Sequence, residues 1–419
     1  MSVPGQGAAA SDDAGRRRHR EVVKLLDRLV AFDTTSARSN LALIVFIEAY
    51  LAEQGVTSRR VASDDGTKTN LYAVIGPSVD GGVMLSGHTD VVSIDGQDWR
   101  FAPFALHDDG ERLYGRGTAD MKGFLAAVLA AVPEMVAADL RVPIHLAFSY
   151  DEEVGCLGVR RLIDMMAAQA HRPTACIVGE PSGMQVATAH KGKQAMRVHV
   201  QGRACHSGMA PRGVNAIHAA ARLIGWVADT AAERAAHGPF DARFGIAHTT
   251  LQAGCIRGGA ALNIVPEHCT FDVEIRHVPA DDIDTLVAAF ETQAAALTQT
   301  MQASDPQAGI RIEPLGAYPG LSIADDDALV RCITALLEAA TITRIDYGTE
   351  AGLFQRDLDL PSLVCGPGHM AQGHQPDEFT THAQLMRCSR FLDRLIETLS
   401  ADRETSGMAV RERLGENRD

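Results

Sequence analysis

No C-x-x-C pair occurs among the eight cysteines of this 419-residue chain. Cys156, Cys176, Cys205, Cys255, Cys269, Cys332, Cys365 and Cys388 stand singly, which excludes a zinc ribbon and a redox dithiol. Several lie in apolar runs, as Cys365 does in Leu363-Val364-Cys365, where a thiol behaves as a small buried hydrophobe; a reducing compartment is expected. No uninterrupted apolar run reaches roughly 18 residues, so no membrane span is expected. No apolar stretch follows the basic cluster in MSVPGQGAAASDDAGRRRHR, so no secretory signal is expected, and the expected location is the cytoplasm. Positive charge is in deficit, with 39 Lys and Arg against 53 Asp and Glu, a formal net charge of −14. That argues against a nucleic-acid partner, which requires a basic face. Internal repeats and a G-x-S-x-G nucleophile elbow are also absent. The charged stretch from about Ala401 is expected to fray.

What is present suits a folded enzyme: 46% hydrophobic and 22% charged residues, in a chain long enough for two domains. Four short apolar runs each end abruptly in polar, metal-capable residues. Val83-Met84-Leu85 leads to His88 and Asp90, and Pro143-Ile144-His145-Leu146-Ala147-Phe148 leads to Asp151-Glu152-Glu153. Ala175-Cys176-Ile177-Val178 leads to Glu180, and Leu363-Val364-Cys365 leads to His374. Such runs fit buried strands of an α/β sheet, separated by helical patterns at 123–135 and 158–170. Open α/β sheets bind ligands beyond the carboxyl ends of their strands, which is where all four runs deliver these groups.

The middle of the chain differs. Apolar and polar residues alternate over 196–201 and 271–276, the signature of a sheet with one packed and one wet face. A helical stretch lies between them at 215–229, and another follows at 282–295. Together they predict a small α+β domain of about 115 residues inserted into the first, with the chain returning near Tyr318.

His88 and Asp90 stand two apart, so on an extended segment both point the same way, and Asp90 can orient the imidazole. Asp120, in G-R-G-T-A-D-M-K-G, precedes an apolar helix; capping that helix is the ordinary use of such an aspartate. Glu152 and Glu153 are neighbours pointing in different directions, so that one can meet a metal and the other a substrate. Two carboxylates at a buried strand end need cations to stay ionised. His88, Asp120, Glu153, Glu180 and His374 offer two imidazoles and three carboxylates, an N/O set suited to zinc or cobalt. A pair of ions sharing one carboxylate would take one histidine and one glutamate each. Arg276, on the polar face of its strand, can pair with a substrate carboxylate through its guanidinium fork, or serve in a surface salt bridge.

The strings SGHTDVV, YGRGTADMKG, SYDEEVGCLG, VGEPS, HSGMAPRGVNAI, LNIVPE and GPGHMAQGHQPDEF closely resemble the metallohydrolase family that contains acetylornithine deacetylase, succinyl-diaminopimelate desuccinylase and glutamate carboxypeptidase. They occur in family order, and the resemblance covers most of the chain, from about residue 20 to 395. The resemblance implies an α/β, zinc-peptidase-like catalytic domain (1–190 and 308–419) with a mixed central sheet flanked by helices. It also implies an inserted α+β lid and dimerisation domain (191–307) and hence a homodimer. Two divalent ions, Zn2+ or Co2+, are implied, with Asp120 bridging, His88 and Glu180 on one ion, and Glu153 and His374 on the other.

In the same reading Glu152 is the general base, Asp90 supports His88, and His206 enters the partner subunit's active site to stabilise the oxyanion. Arg276, Asn263 and Glu350 are assigned to the substrate, Glu350 to a side-chain ammonium. The segments around Glu350 and His374 look most like the acetylornithine deacetylase members, which makes N2-acetylornithine the expected substrate. His369-Met370 departs from the small polar and aliphatic residues usual at that place, which leaves open another N-acyl amino acid, a succinylated diamine or a C-terminal peptide bond. A non-catalytic metal-binding scaffold is the remaining alternative, disfavoured because it would not need Glu152.

Overall fold

The computed structural model describes residues 6–400; the charged tail expected to fray lies outside them. The chain divides into two compact units. One runs to Ala189 and resumes over Leu321–Arg344 and from Thr349 onward; the other comprises His190–Gly320 and Ile345–Gly348.

In the first unit the sheet order is Ser58–Ala62, Thr69–Ile75, Ile144–Ser149, Val83–His88, Ala175–Pro181, Ser362–Gly366, Val186–His190, Leu321–Ser322. The four apolar runs are its four adjacent central strands, and they pair in parallel. Thr69–Ile75 joins Ile144–Ser149 antiparallel, so the sheet is mixed. Ile144–Ser149 and Val83–His88 are buried at every position, as strands covered on both faces must be, which is why their sequences do not alternate.

Helix Lys122–Ala137 is apolar almost all round and packs against helices Gln6–Val30 and His382–Ser400 as well as the sheet. Phe124, Leu125, Val128, Leu385, Phe391 and Leu392 share this core. Each large side chain so buried contributes about 1.5–3 kcal/mol. Close approach at this layer depends on glycine. A Cβ on Gly179 would lie 2.1 Å from the Phe124 ring, and one on Gly366 would lie 1.9 Å from the Gly179 carbonyl oxygen. The residue before Glu180 is therefore pressed between helix and neighbouring strand.

The second unit builds an antiparallel sheet in the order Thr250–Gly258, His268–His277, Gly192–Gln201, Gly309–Tyr318. His268–His277 alternates strictly between buried and partly exposed residues from Cys269 onward, so its inner face (Phe271, Val273, Ile275) packs with Leu223, Val227 and Phe290 of helices Ala216–His237 and Ile283–Gln302. Strand Gly309–Tyr318 is the fourth member of this sheet. The compact unit thus extends past the family-implied boundary at Gln307 to Gly320, because the strand's backbone pairs with Gly192–Gln201.

Candidate metal centre

The parallel strands converge their polar ends. His88 closes its strand, Glu152 and Glu153 follow Ile144–Ser149, Glu180 lies one residue inside the end of Ala175–Pro181, and His374 lies in the loop after Ser362–Gly366. Asp120 enters from the turn before helix Lys122–Ala137. That helix is capped at Met121 without a side-chain bond, so Asp120 does not cap it. Instead its two carboxylate oxygens face two imidazoles: Oδ1 is 3.0 Å from His88 Nε2 and Oδ2 is 3.0 Å from His374 Nε2. His374 Nε2 is also 3.0 Å from Glu153 Oε2, and His88 Nε2 is 3.5 Å from Glu180 Oε1. The Asp120–Met121 peptide is cis. All five metal-ligand candidates therefore meet, with Asp120 at the centre.

His88, Asp120 and Glu180 are no more than 3% exposed, whereas the His374 side chain is 46% exposed. Burial pushes the Glu152 and Glu180 carboxyls well above the ordinary range, and neighbouring acids add to it. Burial and Asp120 together raise Glu153 to about 7. Hydrogen bonds to Asp120 and Glu153 raise His374 to about 10. Burial works to lower His88, yet Glu180, Asp120 and Asp90 together hold it well above its usual value. Glu153 Oε1 is buried with no hydrogen-bond partner, a cost of about 1–3 kcal/mol unless a cation satisfies it. Donor atoms of His88, Glu152 and Glu180, and of His88, Asp120 and Glu153, lie within 4.8 Å of one another in each group. Crowded carboxylates, an orphaned oxygen and paired imidazoles all fit divalent cations. The first of these groups includes Glu152, which the sequence reading kept apart as a base.

Asp90 supports the centre differently from the expectation. His88 Nδ1–H donates to the Asp90 backbone carbonyl at 2.9 Å, while the nearest carboxylate oxygen stands 3.6 Å away. The carboxylate instead accepts from Ser36 Oγ (2.8 Å) and from the backbone N–H groups of Glu152 (3.2 Å) and Glu153 (3.3 Å). One aspartate thus orients the imidazole through its main chain and pins the Glu152-Glu153 turn through its side chain. Cys156 donates its thiol to Glu152 Oε1 at 3.4 Å; its buried place in an apolar-looking string carried no signal of this contact.

Glu350 is 1% exposed. Its carboxyl lies beside the Ser149 and Ser86 hydroxyls, and burial pushes it up to about 7. Both of its carboxylate oxygens are buried with no hydrogen-bond partner, as Glu153 Oε1 is. In the second unit, His206 and Asn263 are exposed neighbours: Ser207 N–H donates to the Asn263 carbonyl at 2.9 Å, and His206 bridges Ile264. Gly208 N–H donates to His206 Nδ1 at 3.1 Å. In a neutral ring this leaves the proton on Nε2, which then serves as a donor. Arg276 is held by Glu274 (2.9 Å) and the Tyr318 hydroxyl (2.8 Å), the salt-bridge alternative of the two readings.

Comparison with known proteins identifies the family. Residues 84–398 match the model of peptidase family M20/M25/M40. The chain is 33% identical over 367 residues to the acetylornithine deacetylase of Klebsiella pneumoniae (strain 342), covering 85% of this chain and 92% of that one. It is 34% identical over 377 residues to that of Yersinia pestis, covering 88% and 93%. Among solved structures, an M20 family metallo-carboxypeptidase from Sulfolobus solfataricus is similar with a TM-score of 0.71 at 16% identity, covering 91% of this chain and 99% of that one. Human carnosine dipeptidase 1 is similar with a TM-score of 0.66 at 17% identity, covering 93% and 98%. At such identities these structures speak for the fold alone.

Proposed function

The chain belongs to peptidase family M20/M25/M40 and is a hydrolase, and we propose that it cleaves the amide bond of N2-acetylornithine to give ornithine and acetate. The observation that carries this reading is the meeting of His88, Asp120, Glu153, Glu180 and His374 around one buried carboxylate. Identity of 33–34% to acetylornithine deacetylases over most of the chain supports the choice of substrate.

We assign His88 and Glu180 to one divalent ion, Glu153 and His374 to the other, and Asp120 to both, with zinc or cobalt as the metal. Such ions supply Lewis acidity: they bring the pKa of a water toward neutrality and polarise an acyl oxygen. His88 would hold its ion as the neutral imidazole. Glu152, whose carboxyl burial makes proton-seeking, takes the proton from the attacking water and passes it to the departing amine as the C–N bond breaks. Asp90 holds the Glu152 backbone in place for both transfers. His206, with Nε2–H outward, is assigned to the oxyanion from a second copy of the chain, in a homodimer formed through the inserted unit. No helix among the described residues is long and apolar enough to cross a membrane; a cytoplasmic location is the reading we adopt.

A second reading, a different N-acyl amino acid, is favoured by His369. This exposed residue bridges Ser182, two residues beyond Glu180, and its ring stands where a Cβ on Gly183 would lie, 2.2 Å away. A bulky imidazole therefore borders the ligand-bearing strand end. Amine release by the zinc- or cobalt-loaded protein from N2-acetylornithine, acetylmethionine and succinyl-diaminopimelate distinguishes the two. We expect acetylornithine to be preferred and chelator to abolish the activity. Preference for either other substrate would overturn the assignment while keeping the chemistry.

A further inference from the structure

Behind the ligand cluster lies a second buried group of charges that the chemistry above does not use. Arg116 and Glu378 are each 1% exposed, and Arg116 Nη1 donates to Glu378 Oε2 at 2.7 Å. A buried ion pair is seldom retained for stability alone, because desolvating both charges cancels most of their attraction. Its remaining contacts show what it joins. Glu378 Oε1 accepts the backbone N–H groups of Ala119 (2.9 Å) and Asp120 (3.0 Å), and the Glu378 carbonyl accepts from Gly115 N–H (2.9 Å). The Glu378 carboxylate thus grips the main chain of the central carboxylate, Asp120, from a position four residues beyond His374 in the same loop.

Arg116 completes the frame. It donates to Gln97 Oε1 (2.5 Å) and to the Gln375 carbonyl (3.4 Å), and its guanidinium lies 4.9 Å from the Trp99 ring centroid. Gln97 Nε2 in turn donates to the His374 carbonyl at 3.0 Å. His374 has a left-handed backbone, φ 61°, a conformation that costs a non-glycine residue roughly 1 kcal/mol and persists when its surroundings enforce it. Asp120 and His374 lie more than 250 residues apart in the chain, yet the Asp120 backbone is tied to this ion pair directly and the His374 backbone through Gln97.

We infer that Glu378, with Arg116 and Gln97, is a positioning group that sets the separation of Asp120 from His374 and thereby the tight binding of the ion on the His374 side. The inference rests on the dinuclear reading. Its test is metal binding by the full-length protein, not turnover. Zinc would be titrated against a chromophoric chelator, and the Co2+ absorption spectrum recorded, for wild type, Glu378→Gln and Gln97→Ala. Glu378→Gln keeps one acceptor for the two N–H groups and turns a donor toward Arg116; Gln97→Ala releases the His374 carbonyl and removes the acceptor of Arg116 Nη2 and Trp99 Nε1, leaving the Arg116–Glu378 pair in place. Loss of such supporting bonds commonly weakens a metal about 10–100-fold.

We expect wild type to bind two ions. Glu378→Gln should bind one as tightly as wild type and the other about 10-fold or more weakly, with an altered Co2+ spectrum. Gln97→Ala should show the same split to a smaller degree, with the thermal unfolding of the metal-free protein unchanged. Two ions held with wild-type affinity in Gln97→Ala, or in a folded Glu378→Gln, would overturn the inference while leaving the dinuclear reading intact. Should Glu378→Gln not fold, Gln97→Ala alone decides. Fewer than two ions on wild type would overturn the dinuclear reading itself, and this inference with it.

Discussion

The two units treat their polar residues in opposite ways. In the first, parallel strands covered on both faces are mostly apolar along their length and release several polar groups at one end, where His88, Asp120, Glu153, Glu180 and His374 share hydrogen-bond distances. In the second, an antiparallel sheet spreads its polar groups over a wet face. Arg197 pairs with Asp272 across strands, His199 with Glu313, and Arg276 with Glu274 and Tyr318. His206 and Asn263 stand exposed off the sheet. The lesson is geometric: a parallel sheet concentrates chemistry at its carboxyl edge, whereas an alternating one distributes charge where water screens it.

That contrast can be broken from either side. The largest effect is expected at Glu152: Glu152→Gln should lower kcat by about 10²–10⁴, the usual worth of a positioned proton carrier, with metal content unchanged on elemental analysis. A fall within a few-fold would remove Glu152 from the reaction. Next, His206→Ala should lower kcat by about 10²–10³, as loss of one oxyanion donor does, with both ions retained. Mixing this variant with Glu152→Gln should restore part of the activity if the two units act across a dimer; mixtures as inactive as their components would refute that arrangement.

A pair of glycine substitutions sharpens the packing side of the comparison. Gly179→Ala forces a methyl into the Phe124 ring and should destabilise by about 3 kcal/mol. Gly225→Ala, in helix Ala216–His237 with open space around its Cβ position, should stabilise by about 0.5–1 kcal/mol. Urea denaturation checks both; comparable shifts for the two would contradict the distinction between pressed and open layers.

Much of the centre was readable before any fold was known. Apolar runs ending in His88, Glu152-Glu153, Glu180 and His374 announce themselves because a strand buried on both faces must be continuously hydrophobic and can place polar residues only where it stops. The alternation at 196–201 and 271–276 announced the second sheet for the complementary reason. Other assignments needed coordinates. Asp120 looks like a cap by local rules, and the distant imidazoles of His88 and His374 claim it instead. Arg276 looked available on its strand face, and coordinates show it held by Glu274 of the same strand and by the Tyr318 hydroxyl. Glu350 sat in a promising motif, and burial withdraws it from solvent.

The amino-acid sequence by itself determined the residue types of the centre, the strand ends that carry them and the existence of two differently patterned units, because periodicity and donor chemistry are local properties. Only the tertiary structure decided which oxygen faces which imidazole, that Asp90 works through its carbonyl and its carboxylate at once, and that Glu378 joins Asp120 to the His374 loop. Those relations span tens to hundreds of residues, and they arise when packing brings separate strand ends and loops within hydrogen-bond distance.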